Sequence, residues 1–306
     1  MRVSIIGQAA FGEAVFKRLI DEGVEVIAAS APEPREGGRP DPLWVAAQEA
    51  GLAPIDTAAL KGEEGLAAWR AAGAELGVMA FVTEMLPADA LTAPEQGTIQ
   101  YHPSLLPLHR GSSAMNWPII FGRTETGLSI FWPDEGMDTG PVLLQKSCKI
   151  GPDDTLGSLY FERLFPMGVD AMAEAVALVD AGEAPRIEQD HSLSTYEPPC
   201  GEEHARIPWH EPAQLVYDRI RGCNPQPGAW TTRRGGERLG VFDCRLTPDN
   251  EPGMPGAVIR IEEDGIDVRL NGGVLHVKRV QPQGARKVNA GEWAAEVGLK
   301  VGARFR

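Results

Sequence analysis

The sequence predicts an α/β protein in which a mostly parallel, Rossmann-like sheet is followed by a small carboxy-terminal β-barrel. Three observations carry that expectation. Apolar strand-like runs alternate with helical periodicity through the first half, the order that builds βαβ units and a parallel sheet. A long stretch, 155–182, keeps helical periodicity throughout. After Gly222 the pattern changes to short apolar runs punctuated by Gly and Pro, which suits a small barrel.

The elements follow in order. Val3 to Ile6 reads as a buried strand. Phe11 to Glu22 is helical, with Phe11, Val15, Leu19 and Ile20 on one face. Val24 to Ala29 is a second strand, and residues 31–41, rich in Pro, Gly and charge, form a loop. Asp41 is placed to cap a helix that opens at Pro42 and runs to Ala50. A short strand at Pro54-Ile55, a helix from Glu63 to Ala72 and a strand from Leu76 to Val82 come next. Thr98 to His102 and Leu128 to Trp132 are further strands. The helical stretch 155–182 has Leu159, Phe165, Met172 and Val176 among its apolar positions. Residues 184–205 hold Pro185, Pro198, Pro199 and Gly201 with little periodicity and read as a linker. It divides a catalytic domain, 1–183, from a barrel domain, 206–306. A helix ending at Arg221 leads into strands at 229–232, 238–243, 257–262, 265–269 and 274–280.

At 306 residues, 43% hydrophobic and 24% charged, the chain can bury a good core and is ordinary for a soluble protein. No apolar run approaches the roughly 20 residues of a membrane span. The first residues enter a strand without the apolar region of a signal peptide, so a cytoplasmic location is expected. Cys148, Cys200, Cys223 and Cys244 form no CxxC pair, and reduced cysteines with packing roles are expected. The formal net charge is −14, which repels phosphate backbones and disfavours nucleic acid as the main partner. From Arg206 onward there are 16 Lys and Arg against 12 Asp and Glu; that barrel is too mildly basic to make tRNA the preferred ligand.

Two motifs carry chemistry. Gln100-Tyr101-His102-Pro103-Ser104-Leu105-Leu106-Pro107-Leu108-His109-Arg110-Gly111 ends one strand. Alternation turns Gln100 and His102 to the same side. Pro133-Asp134-Glu135-Gly136-Met137-Asp138-Thr139-Gly140 ends another. An imidazole from one and the Asp138 carboxylate from the other are the parts of an acid–base site. A lone histidine is ordinarily structural and an Asp among glycines ordinarily forms a turn; their pairing in motifs favours catalysis. Arg110 can pair with a ligand carboxylate or fix its own loop. Gly7-Gln8-Ala9-Ala10-Phe11-Gly12 lacks the middle glycine of a dinucleotide fingerprint and the ending of a P-loop. A Rossmann oxidoreductase is therefore disfavoured. Ser104 and Ser112 lack a nucleophile elbow, and no metal-ligand spacing occurs, so no metal is expected.

His-x-Ser-Leu-Leu-Pro-x-x-Arg-Gly followed by Asp-x-Gly-x-Asp-x-Gly resembles the 10-formyltetrahydrofolate-dependent formyltransferases and hydrolases. The resemblance is strongest to the amino-terminal hydrolase domains of 10-formyltetrahydrofolate dehydrogenases, and extends to methionyl-tRNA formyltransferases. It includes Ile6-Gly7-Gln8, Ser129-Ile130-Phe131-Trp132, Leu143-Leu144-Gln145-Lys146, Pro152-Asp153-Asp154-Thr155, Arg221-Gly222 and Pro227-Gly228-Ala229-Trp230, and so covers nearly the whole chain. It implies an OB-like barrel and 10-formyltetrahydrofolate as formyl donor. It also implies catalytic roles for His102 and Asp138, with the pterin held by Phe81, Met85, Leu86, Asp134, Glu135 and Gly136, and Arg110 nearby. Gln100 departs from the pattern. The transferases of the family place Asn there and the dehydrogenases an apolar residue, so transfer and hydrolysis both stay open. Hydrolysis to formate and tetrahydrofolate is the first expectation. Transfer to an amine, such as a sugar amine or amino acid, is the second, and a silent folate-binding module is a reading of another class.

Overall fold

The computed structural model describes residues 1–233 and 235–306. The chain folds into two compact units. The first comprises Met1–Ser112, Gly127–Cys148 and Glu162–Tyr196. Its sheet is built from β1 (Arg2–Gly7), β2 (Glu25–Ala31), β3 (Ile55–Asp56), β4 (Leu76–Ala80), β5 (Thr98–His102), β6 (Glu125–Phe131) and β7 (Val142–Lys149). Their order is β3-β2-β1-β4-β5-β6-β7. The pairs from β3 through β5 are parallel. Helices cover parallel strands on both faces, so such strands carry unbroken apolar runs; β4 is buried at every residue. The direction of the chain reverses at β1, putting a crevice between the ends of β1 and β4, where open α/β sheets bind ligands.

β6 runs antiparallel to β5, with Gln100 opposite Phe131 and His102 opposite Ser129. The acidic loop therefore does not leave the sheet beside the carboxyl end of β5. It starts level with Gln100, about 7 Å of strand short of His102, and has to double back. β7 was not expected from the sequence, because Gln145, Lys146 and Ser147 interrupt its apolar run.

The helix Ala9–Asp21 buries Phe11, Val15, Phe16 and Leu19. Ile20, expected on that face, is 42% exposed. It lies nine residues from Phe11, half a turn round a 3.6-residue helix, and Phe16 takes the core position. Asp41 caps the helix Pro42–Glu49 by accepting from the Leu43 N–H at 2.9 Å. The helix Phe165–Asp180 packs on Phe11 and Tyr101, whose rings lie 4.4 Å apart. Gly168 makes that approach close, since a Cβ there would stand 2.7 Å from the Tyr101 ring and 2.9 Å from Phe11. Tyr101 thus fastens one face of β5 to the core, and the alternate residues Gln100 and His102 turn to the other.

The second unit comprises Ser113–Thr126, Lys149–Phe161 and Glu197–Arg306. Its antiparallel sheet contains β8 (Trp230–Thr232), β9 (Arg238–Pro248), β10 (Val258–Glu262), β11 (Gly265–Leu270), β12 (Gly273–Pro282) and β13 (Val288–Asn289). The order is β10-β11-β12-β9-β8, with β13 on β12. The last residues join its two edges. Gly302 and Ala303 exchange hydrogen bonds with Val258 at 2.8 Å, and Phe305 donates to Gly256 at 2.9 Å. On the other side Arg306 exchanges bonds with Thr232 at 3.1 and 3.0 Å. Phe305 is 3% exposed and stacks on Trp209 at 5.9 Å. Removing residues 302–306 would unpair both edges and uncover that aromatic pair. Burial losses of this size are worth about 3–5 kcal/mol, so a large fall in the urea midpoint is expected, with aggregation through the freed edges. An unchanged midpoint would show that the closure contributes no stability. The helix Ala290–Glu296, which has no counterpart among the sequence-predicted elements, is capped by Asn289, which accepts from Gly291 and Glu292 at 2.7 and 3.0 Å.

Candidate active site

The site is built on the end of β5. His102, its last residue, is 5% exposed, and its ring meets Phe131 edge-on at 6.5 Å. The Nε2 atom lies 2.9 Å from the His109 carbonyl oxygen. A carbonyl can only accept, so Nε2 carries the hydrogen and the lone pair of the neutral ring sits on Nδ1. Nδ1 faces Asp138 Oδ2 at 3.6 Å. That separation is too long for a direct hydrogen bond. Asp138 Oδ2 also accepts from the Gly111 N–H at 2.8 Å. The two motifs of the sequence therefore meet at one pair of atoms, and Nδ1 is the imidazole atom left to move a proton.

Two backbone conformations make this possible. His109 and Asp138 have φ of 56° and 55°, the left-handed region that non-glycine residues avoid. Such residues cost about 1–3 kcal/mol each and persist where surrounding contacts over-determine them. The loop between His102 and His109 is held by Ser129, whose hydroxyl donates to the Ser104 carbonyl at 2.7 Å and accepts from the Leu106 N–H at 3.0 Å. Gln145 Nε2 donates to the Leu106 carbonyl at 2.8 Å and to Ser129 Oγ at 2.9 Å. Phe81, just past β4, is a third left-handed residue, at φ 62°.

The other expected site residues fall as follows. Gln100 precedes His102 by two on β5, and its carboxamide has no hydrogen-bond partner among the described residues. Phe81 and Met85 are 40% and 63% exposed. Leu86 is partly buried against a cluster containing Met79 and Trp69. Asp134 is engaged in its own turn, accepting from the Gly136 N–H at 3.0 Å and the Thr139 hydroxyl at 2.6 Å. Glu135 and Gly136 are exposed beside it. Arg110 is 8% exposed; its guanidinium donates to Gln189 Oε1 at 2.7 Å and to His191 Nδ1 at 2.9 Å. Its Nε is buried without a hydrogen-bond partner among the described residues. Gln189, Thr195, Ser129 and Gln145 are site-building residues that the sequence did not single out in that role.

Asp41 Oδ2 accepts from the Ala9 N–H, the first of the helix Ala9–Asp21, at 2.8 Å. A carboxylate already occupies the helix N-terminus on which a dinucleotide's pyrophosphate would rest. Among the described residues no group of three or more His, Cys, Asp and Glu is arranged to hold a metal, and no helix is long and apolar enough to cross a membrane.

An imidazole and a carboxylate 3.6 Å apart at the end of β5 of a Rossmann-like sheet make a candidate site for acid–base chemistry, the class that serves hydrolysis and group transfer. Residues 1–176 match the formyl transferase family and residues 200–298 match the formyl transferase carboxy-terminal domain. The chain belongs to the formyl transferase family. It is 40% identical over 280 residues to the mitochondrial 10-formyltetrahydrofolate dehydrogenase of Homo sapiens, covering 90% of this chain and 30% of that protein. The chain thus spans about a third of the length of that relative. It is 33% identical over 306 residues to the methionyl-tRNA formyltransferase of Geotalea uraniireducens (strain Rf4), covering 98% of this chain and 96% of the other. Its fold is similar to that of HypX from Aquifex aeolicus solved in complex with tetrahydrofolic acid. The TM-score is 0.72 at 16% identity, covering 98% of this chain and 48% of that one.

Proposed function

We propose that the protein cleaves the formyl group of 10-formyltetrahydrofolate, with water as acceptor. The observation that carries this reading is the 3.6 Å gap between His102 Nδ1 and Asp138 Oδ2, both able to take a proton and neither hydrogen-bonded to the other. A water bridging them loses a proton to the pair as its oxygen adds to the formyl carbon. The oxyanion that forms takes a hydrogen bond from the free Gln100 carboxamide and from His102 once Nδ1 is protonated. Breaking of the bond to N10, with return of a proton to that nitrogen, releases formate and tetrahydrofolate. No covalent intermediate with the protein is required.

The pterin is placed between the loop carrying Phe81, Met85 and Leu86 and the loop 134–138, with main-chain groups around Asp134, Glu135 and Gly136 meeting its edge. Apolar walls with a few fixed polar groups suit a flat heterocycle. Arg110 is read as a loop-fixing residue, since both of its guanidinium bonds run to Gln189 and His191.

Transfer to an amine is the second reading. It is favoured by similarity over 96% of the length of a methionyl-tRNA formyltransferase, and the same pair would take the proton from the amine. A silent folate-binding module is the third reading.

The test is incubation of the pure protein with 10-formyltetrahydrofolate and no acceptor, following tetrahydrofolate and formate. Steady turnover is the expected result. Binding without turnover would move the assignment to an amine acceptor or to the binding module, and a screen of amino sugars, amino acids and charged tRNA would separate them. Neither binding nor turnover would sink the folate assignment.

A further inference from the structure

Residues 187–196 lie in the stretch expected as a linker, yet they bond to both halves of the candidate site. Ile187 exchanges backbone bonds with Val142 at 2.8 and 2.9 Å. Gln189, 7% exposed, donates through Nε2 to the carbonyls of Asp138 at 3.0 Å and Gly140 at 2.6 Å. Its Oε1 accepts from Arg110 at 2.7 Å. Thr195 Oγ1 accepts from the His109 N–H at 2.8 Å, and the Thr195 carbonyl accepts from the Arg110 N–H at 3.1 Å. Thr195 N–H donates to the Pro107 carbonyl at 3.2 Å.

These contacts fall on the two left-handed residues that deliver the reacting groups. His109, held by Thr195, presents the carbonyl that receives His102 Nε2–H. Asp138, held by Gln189, presents the carboxylate that faces Nδ1. We propose that residues 187–196 act as a positioning strap, in which Thr195 sets the His102 tautomer through His109 and Gln189 sets the Asp138 carboxylate. This inference rests on reading His102 and Asp138 as the reacting pair. Neither Gln189 nor Thr195 need touch substrate; each works through another residue's geometry.

The test reads the tautomer apart from activity. The full chain is labelled with ¹⁵N-histidine, and ring nitrogens are observed by two-bond proton correlation, with the His102 signals assigned by their loss in His102→Ala. Wild type is expected to show the Nε2–H form. Thr195→Val keeps the side-chain shape but removes the acceptor for His109 N–H. It is expected to give a mixed or Nδ1–H population and to lower kcat about 10- to 100-fold, as small misplacements do, with KM within about threefold. Thr195→Ser restores the acceptor and should return both readouts to wild type. Gln189→Glu removes both donors to the acidic loop and should lower kcat with the tautomer unchanged.

An unaltered tautomer and kcat in Thr195→Val would overturn the inference. A parallel loss of kcat, folate binding and thermal midpoint with the tautomer intact would mark a merely structural role and overturn it equally. If wild type showed no turnover, the formyl-cleavage reading would fall alone, because the tautomer shift would still decide the strap.

Discussion

Asp138→Asn is expected to lower kcat for formyl cleavage about 10³-fold while leaving folate affinity within about threefold, the size usual for loss of one acid–base partner. The substitution isolates charge from shape. Asp138 Oδ2 accepts the Gly111 N–H at 2.8 Å. The amide oxygen of Asn will take that position, because its NH₂ would set donor against donor. The side chain then keeps its orientation, and an oxygen still faces His102 Nδ1. What disappears is the negative charge proposed to take the nucleophile's proton and to stabilise the imidazolium as it forms. A thousandfold loss corresponds to about 4 kcal/mol of transition-state stabilisation. Groups that act as a unit are not additive. The double variant with His102→Ala should therefore be no slower than the slower single variant by more than about tenfold. Asp138→Asn turnover within threefold of wild type would remove the carboxylate from the mechanism. Strictly multiplicative losses in the double variant would separate the two residues into independent roles.

The pairing of His102 with Asp138 was legible because each sits in a motif whose spacing and glycines identify it. What the sequence could not convey was the route between them. Periodicity reports a strand at 128–132 but carries no direction, and β6 is antiparallel to β5. The acidic loop therefore reaches His102 by folding back rather than by leaving a neighbouring strand end. Gln189 and Thr195 were illegible for a different reason. They are polar residues in an aperiodic stretch, and their partners lie 51 and 86 positions away in the chain; no local propensity encodes such contacts. The barrel strands were readable from their punctuation by Gly and Pro. Its closure was not, because Gly302 and Ala303 have neither β-branched nor aromatic side chains and pair only through backbone groups.

Gly140→Ala is expected to cost about 10²-fold in kcat, from a methyl group added to a residue that touches no reacting atom. Gly140 stands at the neck of the acidic loop, where the Trp132 N–H donates to the Pro141 carbonyl at 2.9 Å. A Cβ on Gly140 would land on the Trp132 carbonyl oxygen, well inside contact distance, and 3.3 Å from the Asp134 nitrogen. All of these neighbours are backbone atoms, so no rotamer change can relieve the clash and the neck itself must open. Overpacking of this kind costs about 1–3 kcal/mol of stability, which the fold can tolerate. The site is less tolerant. Gln189 holds the Gly140 carbonyl at 2.6 Å and the Asp138 carbonyl at 3.0 Å, so a shift of the neck moves Asp138 with it, and a displacement near 1 Å is worth about a hundredfold in rate. Gly136→Ala provides the contrast. Its Cβ would meet the Thr139 side chain, which can rotate away at the cost of one hydroxyl bond to Asp134, so a smaller loss is expected. The measurement is kcat beside thermal midpoint for both variants. Equal losses in the two would mean that the loop responds to any added methyl. A large kcat loss in Gly140→Ala alone, with its midpoint lowered only a few degrees, would locate the sensitivity at the neck that aims the carboxylate.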